Sequence, residues 1–315
     1  MIEEFESSTG YEVEMIKVAD AGTVLARALL TKDAPIADVI VGIDNSFLQI
    51  ALDQELYQPY AGPVPALHPE AVGSYTGDLV VPYDWGRVCI NYDTTYVDGE
   101  NVSAPTSLWD LTDGDWTGKV AVQNPRTSSP GRSFLIATVD HFANDEDEAT
   151  GFGDWWSAMA GNEVIVTDGW TEAYELHYSG GYGQWYDGFI GDAHAVVSYC
   201  HSPGVEAFYG ENWTTSVALT LDRASFLQVE YAGIVKGAAN PAGAAAFIEA
   251  MLNDSVQSGI ALSNFMYPAA AANTLPSDNG YLWHTGVPSQ DSDLSAAEIS
   301  AGIDGWLDEW DAAMS

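Results

Sequence analysis

The chain has 315 residues, with 46 acidic against 9 basic side chains and a formal net charge of −37. A chain with this negative charge would repel a phosphate backbone, which excludes nucleic-acid binding through a basic surface. Hydrophobic residues make up 47% of the chain and aromatic residues 12%, which predicts one large or two medium folded domains and excludes a disordered acidic tail.

Short runs rich in Val and Ile alternate along the chain with amphipathic or Ala-rich segments, which is typical of an α/β protein with mostly parallel strands. The predicted strands are residues 11–18, 37–43, 79–82, 87–92, 119–123, 163–166, 195–200 and 226–235. The predicted helices are residues 1–8, 23–30, 131–142, 153–159, 171–178, 203–209 and 241–252. A last helix is predicted from the capping box of Ser295 and Glu298, followed by Ile299, Ile303 and Leu307 at helical spacing.

Targeting and membrane signals are not found in the sequence. No apolar run reaches the ~20 residues that a membrane-spanning helix needs. The first ten residues, MIEEFESSTG, have neither a positively charged region nor an apolar core, so they do not predict a secretion signal. Cys89 and Cys200 show no metal-site spacing, and they leave open one disulfide or two free thiols.

Four strand-to-helix junctions carry unusual side chains, at residues 18–23, 124–131, 167–171 and 198–204. In open α/β sheets ligands bind outside the carboxyl ends of strands, where helix N-termini converge. Ser129 and Ser202 each precede a proline, which predicts a hydroxyl at the N-cap and backbone N–H groups open to an anion. Ordinary helix caps are the alternative, but Trp170 and Tyr199 add aromatic surface at the same places.

Enzyme motifs are largely absent from the sequence. It contains no H-E-x-x-H, G-x-S-x-G, Walker A or G-x-G-x-x-G pattern. Cys200 and His201 have the chemistry of a nucleophile and a base, but adjacent residues of a strand point to opposite faces. The sequence therefore predicts no catalytic residue and no metal site.

At these junctions the sequence resembles the thiamine-binding periplasmic proteins of ABC importers, within the class of two-lobed solute-binding proteins. The matching stretches occur in family order and cover nearly the whole chain. They are residues 37–45, 81–86, 124–131 (NPRTSSPG), 167–174 (TDGWTEAY), 198–203 (SYCHSP), 226–230 (FLQVE), 264–268 (NFMYP) and the closing helix at 306–310.

The resemblance implies a fold of the periplasmic-binding-protein type II. Each of two lobes is expected to be a mostly parallel sheet flanked by helices, with the ligand between the lobes. Lobe I is expected at residues 1–85 and 230–315, and lobe II at residues 86–229. Because Met1 falls inside a family helix, the family's first strand is expected to be missing, through a start assigned too late or through fragmentation.

The resemblance also assigns ligand-binding residues. They are Asp20, Ala21, Gly22, Asp44, Ser128, Ser129, Trp170, Tyr199, Cys200, His201, Ser202, Phe265 and Tyr267. Trp170 is the expected stacking residue, and Ser128 with Ser129 is expected to meet a phosphate or the hydroxyethyl arm. Either Asp20 or Asp44 is expected to balance the ligand's positive charge, with a helix cap as the alternative for Asp44. Phe265 stands where the family typically has Trp.

The function that the resemblance implies is capture of thiamine, or its mono- or diphosphate, and delivery to a membrane permease. The protein is expected to be a monomer without a cofactor, periplasmic or at the cell surface. The alternatives are a thiamine-cleaving or thiamine-transferring enzyme that uses Cys200, and a binding protein for another small cation. The acidic excess indicates adaptation to concentrated salt, where charges are screened within ~3 Å at 1 M, although an ordinary acidic soluble protein has the same signature.

Overall fold

The structure, a computed structural model, describes residues 1–73, 75, 77–97, 99, 102–145, 150–185 and 187–315. The chain divides into two compact units. Unit 1 comprises Met1–Trp85 and Gln228–Leu275, and unit 2 comprises Gly86–Leu227 and Pro276–Ser315. A search of the described helices finds none with the length and apolarity of a membrane span.

In the described part of the chain, the strands are β1 Val39–Asp44, β2 Tyr57–Gln58, β3 Val81–Asp93, β4 Val120–Gln123, β5 Ile165–Thr167, β6 Ala195–Tyr199, β7 Ser216–Leu219, β8 Phe226–Val235 and β9 Tyr267–Pro268. The α-helices there are α1 Ile2–Thr9, α2 Ala21–Leu30, α3 Leu48–Asp53, α4 Ser129–Asn144, α5 Phe152–Gly161, α6 Ser202–Tyr209, α7 Pro241–Met251, α8 Asp254–Gln257, α9 Ile260–Ser263, α10 Tyr281–His284 and α11 Ala296–Ala313. A π-helix spans Glu172–His177, and short 3-10 helices span Pro69–Val72, Trp109–Thr112, Gly114–Trp116 and Tyr182–Trp185.

Both units have mixed or antiparallel strand pairing. In unit 1, β1 and β2 pair antiparallel with β8, and β9 pairs antiparallel with the beginning of β3. In unit 2, β4 pairs parallel with β5 and β6, whereas the end of β3 pairs antiparallel with β6 and β7. The α/β class predicted from the sequence is confirmed. The mostly parallel pairing is wrong, because β3 and β8 run opposite to the strands beside them.

Two predicted strands differ in the structure. Residues 11–18 form no strand; the Val13 N–H instead donates to the Glu6 carboxylate at 2.8 Å. Alternation of apolar and polar residues is present there, but a strand also needs a neighbour for its backbone groups. Residues 79–82 and 87–92 are two predicted strands, which the structure joins in the single strand β3 running through Pro82 and Gly86.

The C-terminal segment lies in unit 2, in contrast to the prediction, which assigned 230–315 as a whole to lobe I. The apolar face of α11 explains the difference, because it packs on helices of unit 2. Trp310 meets Trp156 edge to face, with ring centroids 6.0 Å apart. Arg126 pairs with Asp308 and Asp311 at 3.1 and 2.6 Å. The predicted capping box at Ser295 and Glu298 is confirmed.

Candidate functional site

Three of the predicted junctions come together at one sheet edge of unit 2. Because β4 pairs parallel with β5 and β6, the carboxyl ends of all three strands lie at the same edge. The Thr127 hydroxyl donates to the Asp168 carbonyl at 2.7 Å, and the Asn124 N–H donates to the Thr167 carbonyl at 2.9 Å. These bonds join the loops that follow β4 and β5.

The first junction begins helix α4. Ser128 is its N-cap, with the hydroxyl accepting from the Gly131 N–H at 3.5 Å, and Ser129 is the first helical residue. The cap therefore lies one residue before the predicted Ser129, and the helix begins two residues before the predicted start at Gly131. A β-carbon at Gly131 would lie 2.5 Å from the Gln123 carbonyl oxygen. Only glycine therefore lets the start of α4 approach β4 this closely.

The second and third junctions meet around Trp170. Its indole N–H donates to the Ser198 hydroxyl at 2.9 Å, which lies 3.0 Å from the Ser202 hydroxyl. The Trp170 ring stacks on Tyr174, with centroids 4.8 Å apart and planes 14° apart, and lies 6.4 Å from the Tyr199 ring. We call Trp170, Tyr174, Ser198, Tyr199 and Ser202 the aromatic-hydroxyl cluster. Its indole is fixed both through the ring face and through the N–H.

A buried carboxyl group supports this cluster from α6. The Tyr174 hydroxyl donates to Glu206 Oε1 at 2.8 Å, and the Tyr182 N–H donates to the same oxygen at 3.1 Å. Burial raises the pKa of Glu206 to about 7, although both hydrogen bonds act to lower it. Tyr174 lies on the π-helix, where the Tyr178 N–H reaches the Ala173 carbonyl at 3.0 Å.

Cys200 forms a disulfide with Cys89, with the two Cα atoms 5.3 Å apart. Both side chains are almost completely buried, and the Cys200 N–H donates to the Arg87 carbonyl at 2.8 Å. The sequence left a bridge and free thiols open. Because the sulfur of Cys200 is held in this disulfide, Cys200 has no free thiol to act as the nucleophile that the enzyme alternative requires. His201 is the N-cap residue of α6 and is buried, with its ring 5.5 Å from that of Tyr199.

Unit 1 holds a separate group of carboxyl side chains, of which those of Asp44 and Asp84 are fully buried. Asp44 ends β1 and accepts from the Ser46 N–H at 2.7 Å. In the register of β1 with β8, Asp44 lies directly opposite Glu230. Asp84 of β3 accepts from the Asn264 amide at 2.6 Å. We call Asp44, Asp84 and Glu230 the carboxyl cluster.

Titration of this cluster is displaced towards the protonated form. The pKa of Glu230 is raised to about 7, mainly by burial and in addition by the negative charges of Asp44 and Asp20, while hydrogen bonds from Tyr83 and Gln228 act to lower it. Burial, followed by the charge of Glu230, raises the pKa of Asp84 well above its usual range. Within the described residues, no group of three or more His, Cys, Asp or Glu side chains is arranged to hold a metal ion.

The remaining predicted residues of unit 1 occupy two places. Asp20 is the N-cap residue of α2, and Ala21 and Gly22 are buried in its first turn. Phe265 has a φ of 57°, in the left-handed region that bulky residues rarely adopt. Tyr267 pairs with Trp85, with ring centroids 4.7 Å apart. The bond from Asn264 to Asp84 holds this last segment beside the carboxyl cluster.

Several residues that form these clusters or support them are absent from the predicted site: Tyr174, Ser198, Glu206, Asp84 and Glu230. Tyr174 follows Trp170 by four residues, a helical spacing that could have identified it. Ser198 lies in the predicted strand 195–200, four residues before Ser202. Glu230 carries no such local signal. Its place opposite Asp44 depends on the register of two strands that are far apart in sequence.

Comparisons with known proteins agree with this architecture. A family model described as bacterial extracellular solute-binding protein matches residues 34–184. The thiamine-binding periplasmic protein of Escherichia coli (strain K12) is 28% identical over 311 residues, covering 99% of this chain and 86% of that protein. The thiamine-binding periplasmic protein of Brucella melitensis biotype 1 is 28% identical over 322 residues, covering 99% of this chain and 86% of that protein.

Solved structures give the same relationship. A periplasmic thiamin binding protein aligns with a TM-score of 0.82 and 26% identity, covering 100% of this chain and 90% of that chain. A ferric binding protein from Campylobacter jejuni aligns with a TM-score of 0.70 at 17% identity, covering 99% of this chain and 94% of that chain, which shows the fold alone. The chain is thus similar over 99% of its length to thiamine-binding periplasmic proteins and has the fold of periplasmic binding proteins.

Proposed function

We propose that this protein captures thiamine, or its mono- or diphosphate, and delivers it to the membrane permease of an ABC importer. The observation that carries the proposal is the match, over 99% of the chain, to relatives named for thiamine binding. The protein acts in the periplasm or at the outer cell surface, as a monomer and without turnover of its ligand. The expected ligand-binding residues of the two units remain part of this proposal.

The aromatic-hydroxyl cluster suits the cationic ring of thiamine, which consists of a thiazolium joined to an aminopyrimidine. Trp170 and Tyr199 provide aromatic faces, and a desolvated cation over such a face gains about 1–2 kcal/mol. Because Trp170 is stacked on Tyr174 and bonded to Ser198, its orientation needs little ordering when a ligand arrives. Such preorganisation raises affinity by lowering the entropic cost of binding.

The start of α4 suits the hydroxyethyl arm and its phosphates. Ser128 and Ser129 stand at the N-terminus of a 16-residue helix, where backbone N–H groups and the helix dipole favour an anion. The close approach allowed by Gly131 places this N-terminus at the sheet edge that also carries the aromatic-hydroxyl cluster. One edge of unit 2 therefore offers partners for both ends of a thiamine phosphate.

The acidic surface is proposed to be an adaptation to concentrated salt. With a net charge of −37, a protein in dilute buffer would attract any cation over a long range. At 1 M salt this attraction is screened within ~3 Å. Affinity under those conditions comes from short-range stacking, hydrogen bonds and directly contacting charges.

Isothermal titration calorimetry at high salt tests the proposal with thiamine, thiamine monophosphate and thiamine diphosphate. We expect one ligand per chain, with spermidine and choline failing to compete. Mass spectrometry after long incubation should recover intact thiamine. Absence of heat with all three ligands would overturn the proposal, and tight binding of a competitor instead would assign the protein to another small cation.

A further inference from the structure

Three Asn-x-Ser/Thr triplets of the sequence are not among the residues of the candidate site. They begin at Asn101, Asn212 and Asn253, and Asn101 lies outside the described residues. Such a triplet is the acceptor pattern for N-linked glycosylation when it is exposed on an exported protein. The surroundings of Asn212 and Asn253 can therefore be compared for their fitness as acceptors.

The side chain of Asn253 is engaged in local structure. Asn253 is the N-cap residue of α8, and its side-chain oxygen accepts from the Val256 N–H at 3.1 Å. The same oxygen accepts from the Ser255 hydroxyl at 2.7 Å, and Ser255 is the hydroxyl residue of this triplet. An amide that is held by two hydrogen bonds at the start of a helix has little freedom to enter the active site of a modifying enzyme.

Asn212 lies in the connection between α6 and β7, at residues 210–215. The residue is exposed and has a φ of 72°, directly after a φ of 55° at Glu211. Two consecutive left-handed residues turn the chain sharply at the surface. The Asn212 N–H donates to the Ala207 carbonyl at 2.8 Å and so holds the backbone, whereas the side-chain amide nitrogen has no hydrogen bond to any described residue. This nitrogen is therefore open to modification.

Exposed apolar side chains surround this connection. Trp213 is 64% exposed, and Leu282 and Trp283 of α10 are 53% and 85% exposed. Helix α10 packs on α6, and the Asn212 amide oxygen lies so close to Gly280, the N-cap residue of α10, that a β-carbon there would overlap it. We call Trp213, Leu282 and Trp283 the apolar patch. Proteins rarely leave several large apolar side chains exposed together unless another group covers them.

We infer that Asn212 carries an N-linked glycan and that this glycan covers the apolar patch. The Asn212 amide nitrogen bonds to the anomeric carbon of a sugar that is supplied as a lipid-linked sugar phosphate. The nitrogen loses one proton, and the phosphate leaves with the electron pair of the broken C–O bond. The C–H faces of the sugar rings then pack on the indoles of Trp213 and Trp283. This inference goes beyond thiamine capture and shares with the proposed function only the location outside the cytoplasm.

Peptide mapping by mass spectrometry tests the attachment, on protein purified from the cell envelope of its native organism. The peptide that contains Asn212 should be heavier than its sequence mass by at least one sugar residue, and N212Q should lack this addition. T214V removes the hydroxyl of the triplet and should lack it too. T214S keeps the hydroxyl, which accepts from the Ser216 N–H at 3.0 Å, and should stay modified. N253Q is the matched control and should leave the addition on Asn212 unchanged.

Hydroxyl-radical footprinting tests whether the glycan covers the apolar patch. Oxidation of Trp213 and Trp283 should increase in N212Q and in T214V, because both variants lose the glycan. T214S and N253Q should show the oxidation of the wild type. The comparison of T214V with T214S decides if N212Q does not fold, since both variants keep Asn212 in place.

The outcomes separate this inference from the proposed function. A sugar on Asn212 together with protection of both indoles supports the inference. An unmodified Asn212, or a sugar on Asn253 alone, overturns it. A sugar on Asn212 with equal oxidation of the indoles in wild type and T214V overturns the covering role. Thiamine calorimetry of N212Q should match the wild type, so that failure of the inference leaves thiamine capture intact, whereas recovery of the protein from the cytoplasm alone contradicts the location that both share.

Discussion

The carboxyl cluster of unit 1 and the aromatic-hydroxyl cluster of unit 2 are built by different means. In unit 1, strand register places Asp44 opposite Glu230. In unit 2, parallel strands end at a common edge, and Trp170 is held there by a ring stack and one hydrogen bond. One cluster presents negative charge and the other presents flat surface and hydroxyl groups. The comparison teaches that strand register and strand ends are two different ways of bringing together side chains that are distant in sequence.

The largest expected effect distinguishes the units by stability. Replacing Cys89 and Cys200 together by Ser removes a bridge that spans 111 residues of sequence, which should lower the free energy of unfolding by about 4 kcal/mol. Hydrogen exchange followed by mass spectrometry should accelerate in unit 2. Reductant should accelerate exchange in the wild type only. Equal acceleration of exchange in unit 1 would contradict this prediction, because it would show that the two units unfold together.

The next effect concerns ligand affinity through unit 2. W170A should weaken thiamine binding by about 2 kcal/mol, roughly thirtyfold, because it removes the stacked indole. W170F should retain part of the affinity. The matched control is W213A, which removes an exposed tryptophan of the same unit. Equal losses in W170A and W213A would contradict a specific role for the aromatic-hydroxyl cluster.

A comparable effect links pH to stability through Glu206. Burial raises the pKa of this carboxyl group to about 7 in the folded protein from an ordinary value of 4.5, so the folded state binds more protons than the unfolded state between these values. Stability should therefore fall as the pH rises from 5 to 7.5, and the share of Glu206 should be about 2 kcal/mol.

E206Q isolates this share, because a glutamine oxygen still accepts from Tyr174 and Tyr182. The difference between wild type and E206Q in urea unfolding should grow across this pH range. The comparison with E206Q is necessary because Glu230 of unit 1 also makes the folded protein less stable as the pH rises. A constant difference from pH 5 to pH 7.5 would show that Glu206 is ionised throughout.

The smallest effect concerns the hydrogen bond that orients Trp170. S198A leaves the indole N–H without its partner at 2.9 Å and should weaken thiamine binding by about 1 kcal/mol, roughly fivefold. In a W170F background the same substitution should have almost no effect. A loss of equal size in both backgrounds would mean that Ser198 acts independently of Trp170.

Local patterns predicted much of the fold. The capping box of Ser295 and Glu298 predicted α11, and Val- and Ile-rich runs predicted most strands, because both signals depend on neighbours in sequence. Pairing does not. The alternation of residues 11–18 is genuine, yet no strand pairs with them among the described residues. The unit to which α11 belongs depends on the contact of Trp310 with Trp156, which no local pattern encodes.

The same distinction applies to the candidate site. Trp170, Ser128 and Ser202 stand at junctions that composition alone made unusual, and the structure brings these junctions to one edge. Glu230 and Asp84 looked like ordinary strand residues. Their membership of the carboxyl cluster depends on strand register and burial, which cannot be read from the sequence of one strand. The bridge of Cys89 and Cys200 is of the same kind, since its partners are distant in sequence.

That bridge also fixes the covalent topology of unit 2. The chain between Cys89 and Cys200 contains β4, α4, α5, β5, the π-helix and β6, and so it encloses both Ser128 and Trp170 in a closed ring. A protease that cuts once within this ring leaves the two fragments joined until they are reduced. During synthesis, the ring can close only after Cys200 has left the ribosome.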